Sequence, residues 1–248
     1  MVTEELTLDI FLRGRLRVYQ PREGYRFAID AFILANFVSL KKNETVLELG
    51  TGCGIIALLL AVRYPQLKKI IAVEIQSVLA QLAKKNIILN KFEHLIDILE
   101  TDMRQVPWLF PPSNFDVVVS NPPYYPLGTG RLNPQEEKAI ARHEIKSSLL
   151  EVVKIAQYVL KDKGRLYLIY PASRCIHLFV NLRQYNLEPK RLRVVYPYVD
   201  KEANFILVEA IKGGKEEVKI APPLVIYEKP GKYTPEVAAY YEEVIGDK

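Results

Sequence analysis

Phe115-Asp116-Val117-Val118-Val119-Ser120-Asn121-Pro122-Pro123-Tyr124-Tyr125 is the stretch whose reading decides the fold. Its first five residues are an apolar run of the kind that forms a parallel strand buried on both faces. The two prolines stop it, because neither has an N–H to give to a ladder. The chain therefore leaves a sheet at Asn121, at the C-terminal edge of the strands, where open α/β sheets bind ligands. What it presents there is an amide, carbonyls on a stiffened backbone and two aromatic rings. That set suits a planar group carrying an NH2, such as adenine.

Working outward, strands and helices alternate on both sides of this stretch. Thr45–Leu49 reads as a first core strand, Ile55 to Arg63 as a helix stopped before Pro65, 69–74 as a strand, and Ser77 to Leu89 as an amphipathic helix. Leu95–Leu99 is a third strand, Met103 to Ser113 a loop, and the fourth strand enters Asn121. A helix over 144–160, a fifth strand over 165–170 and a helix over 173–185 follow. The runs 191–196 and 205–211 leave no room for a helix between them and must pair antiparallel through a turn near 199–202. This alternation predicts an α/β fold: a doubly wound, Rossmann-like sheet of seven strands with an antiparallel last strand.

Before the core, residues 6–20 alternate around Arg13-Gly14-Arg15 and read as a β-hairpin whose polar face carries arginines. Ile29 to Leu40 is apolar with Asp30 near its start, where an acid caps a helix and meets its positive dipole end. The expected organisation is a hairpin-and-helix cap over 1–43, a core over 44–212, and a tail over 213–248. The tail reads as an extended segment and a short helix from Pro235 to Ile245, packed on the same body.

The chain has 248 residues, 49% of them hydrophobic, enough for a sizeable core. No apolar run approaches the ~20 residues that span a bilayer. The first residues lack the pattern of a secretory signal, so a cytoplasmic protein is expected. Cys53 and Cys175 fit neither a disulfide framework nor a zinc motif, and His94, His143 and His177 are scattered; no metal is expected. The net charge of +5 matters less than its distribution. Arg13, Arg15, Arg17, Arg22 and Arg26 face one acid, Glu23; a second cluster is Arg183, Lys190, Arg191 and Arg193; a third is Lys212, Lys215 and Lys219. Such clusters are the expected footprint of a phosphate-binding face.

Glu48-Leu49-Gly50-Thr51-Gly52-Cys53-Gly54-Ile55 joins the first strand to its helix. The third glycine comes one residue too early for a dinucleotide fingerprint, which disfavours a nicotinamide oxidoreductase. Glu48 would sit badly beside a pyrophosphate and suits a cationic amino-acid end. Glu74, ending the second strand, stands where an acid accepts ribose hydroxyls. Asp102, ending the third, could accept from an adenine amino group. S-adenosylmethionine has all three parts: an amino-acid end, a ribose and an adenine.

The run at 48–54, Glu74, Asp102 and Asn-Pro-Pro-Tyr at 121–124 resemble the class I S-adenosylmethionine-dependent methyltransferases that methylate amino groups. The opening Tyr19-Gln20-Pro21-Arg22-Glu23-Gly24-Tyr25-Arg26-Phe27-Ala28-Ile29-Asp30-Ala31-Phe32-Ile33-Leu34-Ala35 and Ala141-Arg142-His143-Glu144 resemble, within that group, the tRNA-valine adenine N6-methyltransferases, which modify the adenine 3′ of the anticodon. The resemblance implies a donor set of Glu48, Gly50, Thr51, Gly52, Gly54, Glu74, Ile75, Asp102, Met103 and Asn121, catalysis by Asn121, Pro122, Pro123 and Tyr124, and an RNA partner, most simply tRNA, for a monomer or homodimer.

The chemistry at 121–124 follows from the acceptor. An adenine amino nitrogen delocalises its lone pair into the ring. If the Asn121 side-chain oxygen and the Pro122 carbonyl each hold one N–H, the nitrogen can pyramidalise and aim its lone pair, which is orientation and electrostatics rather than covalent catalysis. Tyr124 can stack on the base. Arg131 and Arg142, with Arg13, Arg15 and Arg17, are the expected phosphate contacts, and Gly128 and Gly130 would let the loop between them move. His143 stays open between packing and RNA contact. A glutamine carboxamide poses the same chemical problem, so a protein glutamine N5-methyltransferase acting on release factors is the nearest alternative. The arginine-bearing hairpin, in place of the N-terminal helical domain usual there, favours RNA. DNA adenine methylation would need a target-recognition domain that is not visible. A non-catalytic RNA-binding module is the reading from another class, and intact Glu48, Glu74 and Asn121 speak against it.

Overall fold

The structure, a computed structural model, describes residues 6–22, 29–122 and 149–242. In chain order its elements are β1 (Leu6–Phe11), β2 (Leu16–Pro21), α1 (Ile29–Phe37), β3 (Thr45–Leu49), α2 (Ile55–Arg63), β4 (Lys69–Glu74), α3 (Ser77–Leu89), β5 (Ile96–Glu100), the single turn α4 (Val106–Leu109) and β6 (Phe115–Ser120). Then come α5, described over 149–159, β7 (Leu160–Pro171), α6 (Cys175–Gln184), β8 (Leu187–Tyr196) and β9 (Phe205–Lys212). The tail adds β10 (Lys219–Ile220), β11 (Leu224–Val225), β12 (Tyr227–Lys229), β13 (Lys232–Tyr233) and α7 (Pro235–Glu242).

The main sheet runs β10-β8-β9-β7-β6-β3-β4-β5, with β11 also on β8. β3, β4, β5, β6 and β7 are mutually parallel, and β9 is antiparallel to both β7 and β8. This is the expected mixed sheet with its reversed last strand. Among the described residues it has nine strands rather than seven, because β10 and β11 extend the outer edge of β8, both parallel to it. Apolar strand residues alternate between two clusters: Val46, Val117, Val119, Tyr167 and Ile169 pack with α1, α2 and α3, while Leu47, Val118, Leu166, Leu168 and Tyr170 pack with α5 and α6. Burial on both faces is why these strands read as continuous apolar runs.

β7 and β8 are both longer than the sequence suggests. Pro189 and Lys190 look like a strand boundary, yet β8 runs through them, with a register shift between Pro189 and Arg191. A bulge is one of the places where a strand tolerates proline. The segment 103–113, read as a loop, contains the turn α4, with Val106 fully buried.

The hairpin forms as expected, Leu6 opposite Pro21 and Phe11 opposite Leu16, around a short helical turn at Leu12–Gly14. Its faces are less simply divided. Leu12, Leu16, Val18 and Gln20 are buried, whereas Leu6, Leu8 and Ile10 are exposed, and Ile10 lies opposite Arg17. The arginine-bearing face is thus apolar and cationic together. The edge of β2 is sealed by two asparagines four residues apart, Asn86 in α3 and Asn90 at its C-cap. Asn86 accepts from the Tyr19 N–H at 2.7 Å and donates to the Tyr19 carbonyl at 3.0 Å; Asn90 does the same for Arg17 at 2.9 and 2.6 Å. Carboxamides here stand in for the neighbouring strand that β2 lacks.

The cations of the second basic cluster are engaged within the fold. Arg183 pairs with Glu188 and Glu216, Arg191 with Glu209, and Arg193 with Glu236, while the Lys190 ammonium donates to the carbonyls of Lys215, Glu216 and Glu217. Arg183, Lys190 and Arg193 strap the tail to α6 and β8, while Arg191 ties β8 to β9 and to the end of α1. In the third cluster, Lys212 donates to the Leu160 carbonyl at 2.7 Å. An aromatic row completes the tail's attachment: Tyr198 to Tyr227, Tyr227 to Tyr233, Tyr233 to Tyr241 and Tyr241 to Phe32 of α1, with centroids 5.5, 5.2, 5.4 and 4.3 Å apart.

Candidate active site

β3 and β6 are neighbours in the sheet, but the chain winds away from them in opposite directions, which opens a crevice at their C-terminal ends. Pairing aligns those ends: Leu49 lies opposite Ser120 and Val73, and Glu74 opposite Glu100. Ser120, 1% exposed, donates its hydroxyl to the Leu49 carbonyl at 2.9 Å. That bond ties the last residue of β6 to the last residue of β3, so Asn121 and the glycine turn start side by side.

The turn needs its glycines. Gly50, Gly52 and Gly54 all have positive φ, at 75°, 59° and 87°. At Gly50 a Cβ would meet nothing within 4 Å, so there the backbone conformation and not crowding demands glycine. The N–H groups of Gly50 and Thr51 both reach the Val73 carbonyl at 3.0 Å. Glu74, 5% exposed, accepts from the Gly52 N–H and the Gln76 N–H, each at 2.9 Å. It therefore braces the turn, a role its sequence position alone does not reveal. Asn86 adds a third brace by donating to the Cys53 carbonyl at 3.0 Å.

Glu48 is the anomaly of the site. It is 1% exposed, and neither of its carboxylate oxygens completes a hydrogen bond; nor does the buried Thr51 hydroxyl nearby. Burial pushes the Glu48 pKa up to about 8, the Thr51 hydroxyl and the Ala57 N–H pull against that rise without forming a bond, and the Glu74 carboxylate adds to it. A buried, unsatisfied acid beside a glycine turn is a place for a cationic, hydrogen-bonding group. The orphaned atoms of Glu48 and Thr51 thus fit the amino-acid end of S-adenosylmethionine.

The remaining expected donor residues line the same edge. Ile75, directly after Glu74, is 58% exposed, and Met103 is partly buried against the core. Asp102 caps the short turn that follows β5, accepting from the Arg104 N–H at 2.9 Å and from its guanidinium, which holds its pKa below the usual carboxylate range. An adenine amino group would have to share that carboxylate with Arg104.

Asn121 is half-buried and donates from Nδ2 to Asp30 Oδ2 at 3.1 Å; Pro122 is buried. Pro123, Tyr124, Arg131, Arg142 and His143 lie outside the described residues. Arg13, Arg15 and Arg17 are exposed at the hairpin turn and on β2. Among the described residues, no group of three or more His, Cys, Asp and Glu could hold a metal, and no helix is long and apolar enough to cross a membrane.

Ser120, Asn86 and Asp30 are the site residues that the sequence leaves unassigned. Each acts across 33 to 91 residues of chain, and no local pattern signals such a contact.

The family model of the methyltransferase small domain matches residues 28–179. The chain is 32% identical over 239 residues, 92% of its length and 91% of the relative's, to a protein of Porphyromonas gingivalis strain W83 named tRNA1(Val) (adenine(37)-N6)-methyltransferase. A Haemophilus influenzae protein of the same name is 27% identical over 224 residues, covering 90% of this chain and 93% of that one. Among solved structures, an Agrobacterium tumefaciens protein described as a predicted O-methyltransferase superposes with a TM-score of 0.68 at 20% identity, over 85% of this chain and 94% of that one. TrmN from Thermus thermophilus gives 0.54 at 20% identity, over 73% and 47%. At these identities the structural likenesses show the fold.

Proposed function

Because the chain belongs to the methyltransferase small domain family, we propose that it is the enzyme that transfers a methyl group from S-adenosylmethionine to the exocyclic N6 of an adenine in tRNA, with valine tRNA beside the anticodon as the target. The observation that carries this reading is the Ser120–Leu49 bond, which sets the Asn121 amide next to the glycine turn. S-adenosylmethionine, when bound, supplies an electrophilic sulfonium methyl and a neutral thioether leaving group.

The chain's own residues do the rest. Glu48 and Thr51 receive the cationic amino-acid end, the Gly50 to Gly54 turn leaves room for it, and Glu74, Ile75, Asp102 and Met103 hold the nucleoside. The Asn121 oxygen and the Pro122 carbonyl each accept one N–H of the adenine amino group. The lone pair is then freed from the ring and directed outward, and the second proton leaves to solvent after transfer. Tyr124 stacks on the base. Residues 1–43, with Arg13, Arg15 and Arg17 exposed, form the RNA-facing cap, joined by Arg131 and Arg142; residues 44–212 form the catalytic core and 213–248 the tail. The relatives named for tRNA1(Val) adenine methylation support this substrate.

Glutamine N5 methylation uses the same pair of acceptors and is the second reading. Nucleoside mass spectrometry of bulk tRNA, run beside mass spectrometry of total protein after incubation with labelled S-adenosylmethionine, separates them. Label in N6-methyladenosine of tRNA is the expected result. Label confined to protein glutamine would overturn the proposal.

A further inference from the structure

We infer that Asp30 of α1 is a positioning residue that fixes which end of the Asn121 amide faces the substrate. The inference rests on the functional reading above and deepens it. A carboxamide is nearly symmetric in shape, and half a turn exchanges its oxygen for its NH2. Only the oxygen can accept an N–H from an amino group; the NH2 would point donor against donor.

Asp30 removes the ambiguity. Its carboxylate offers acceptors alone, so the NH2 of Asn121 must face it, and the oxygen is turned to the opposite edge of the amide. The distances agree: Nδ2 of Asn121 lies 3.1 Å from Asp30 Oδ2. Asp30 is itself fixed. Its other oxygen accepts the Ala31 N–H at 2.9 Å, in the first turn of α1. One carboxylate thus spans a helix start and the end of β6. Its charge also polarises the amide, leaving more negative charge on Oδ1 and making it a stronger acceptor. The helix-capping role visible in the sequence accounts for only one of the two oxygens.

The test is single-turnover methylation of a tRNA anticodon stem-loop by wild type, Asp30→Ala, Asp30→Asn, Asn121→Ala and the Asp30→Ala/Asn121→Ala double variant, with donor and RNA binding and thermal melting measured for each. Asp30→Ala is expected to lower the transfer rate by about 10²-fold, as misorientation of a reacting group does, while donor and RNA affinities hold. Asp30→Asn, which keeps an acceptor oxygen, should fall between it and wild type. In the Asn121→Ala background, Asp30→Ala should cost nothing further, because the two side chains act as one unit. Additive losses, or a wild-type rate for Asp30→Ala, would overturn the inference. The side-chain 15NH2 resonances of Asn121 give a readout independent of activity: they should move in Asp30→Ala, and unmoved resonances would also overturn it. A wild type that leaves adenine unmethylated would refute the substrate and not the orientation, which the amide resonances report separately.

Discussion

Asn86 grips Tyr19 by both of its backbone polar groups, and with the same NH2 it reaches the carbonyl of Cys53. One fully buried side chain therefore fastens the arginine-bearing hairpin to the glycine turn after β3. The hairpin is not an appendage; its placement and the shape of the turn share a single carboxamide.

Replacing it should be costly. Asn86→Ala removes three hydrogen bonds and leaves buried backbone groups unpaired, and the expected loss is about 2–4 kcal/mol of folding stability. Chemical denaturation measures that loss. Hydrogen exchange should report opening of β2 well before the main sheet; equal protection of both would show that the hairpin is held by its apolar face alone.

Ser120→Ala deletes a smaller contact, worth about 1 kcal/mol. The larger effect should fall on transfer, because the start of the Asn121 segment loses its tie to β3. A reduced kcat with little change in melting temperature is expected, and kinetics beside a melting curve check it.

Glu48 gives the donor-free protein a pH dependence whose sign is fixed by its raised pKa of about 8. The folded state binds a proton that the unfolded chain releases from about pH 4.5, so this contribution to stability is complete below that pH and is lost as pH rises through about 8. Glu48→Gln should flatten the decline and raise the melting temperature at pH 8. It should also weaken donor binding. At pH 7 the wild type, unlike the variant, should release close to one proton on binding S-adenosylmethionine as Glu48 ionises beside the ammonium, which calorimetry in buffers of different ionisation enthalpy would detect.

Asn121→Ala should leave S-adenosylmethionine binding intact and cut transfer to a small residual rate. Donor binding by calorimetry and methylation by mass spectrometry separate the two effects. Activity near the wild-type level would remove the amide from the mechanism.

Replacing Arg13, Arg15 and Arg17 together by glutamine should weaken RNA binding and reduce the magnitude of the log–log salt slope by about 2, as expected when three phosphate contacts are lost. Binding titrations at several salt concentrations read the slope directly. An unchanged slope would place those arginines in solvent only.

The core of the fold was legible because it is local. Runs such as Val117-Val118-Val119 and the spacing of Gly50, Gly52 and Gly54 carry their meaning within a few residues, and the reversed last strand followed from the short connection between β8 and β9. What stayed hidden was partnership. Arg191 and Arg193 read as phosphate ligands until Glu209 and Glu236 met them across the fold. The strand expected over 191–196 starts at Leu187, because the bulge that admits Pro189 has no signature of its own. The alternation over residues 6–20 gave the hairpin but not its inner face, which is Leu16 and Val18 and not Leu8 and Ile10. In the site, Glu48 and Glu74 could be found by position, whereas the bracing by Glu74 of the Gly52 amide depends on a turn that exists only once folded.

The slotting of β9 between β7 and β8 bears on how the protein is made. During synthesis β8 emerges from the ribosome ahead of β9, and the nascent chain then holds a strand with no neighbour to join. β8 can dock only after residues 205–212 have cleared the exit tunnel, and β10 and β11 can dock only on β8. Four of the nine strands, β8 to β11, must therefore wait for residues 205–212, and a pause in translation between codons 197 and 204 would prolong the exposure of an unpaired edge.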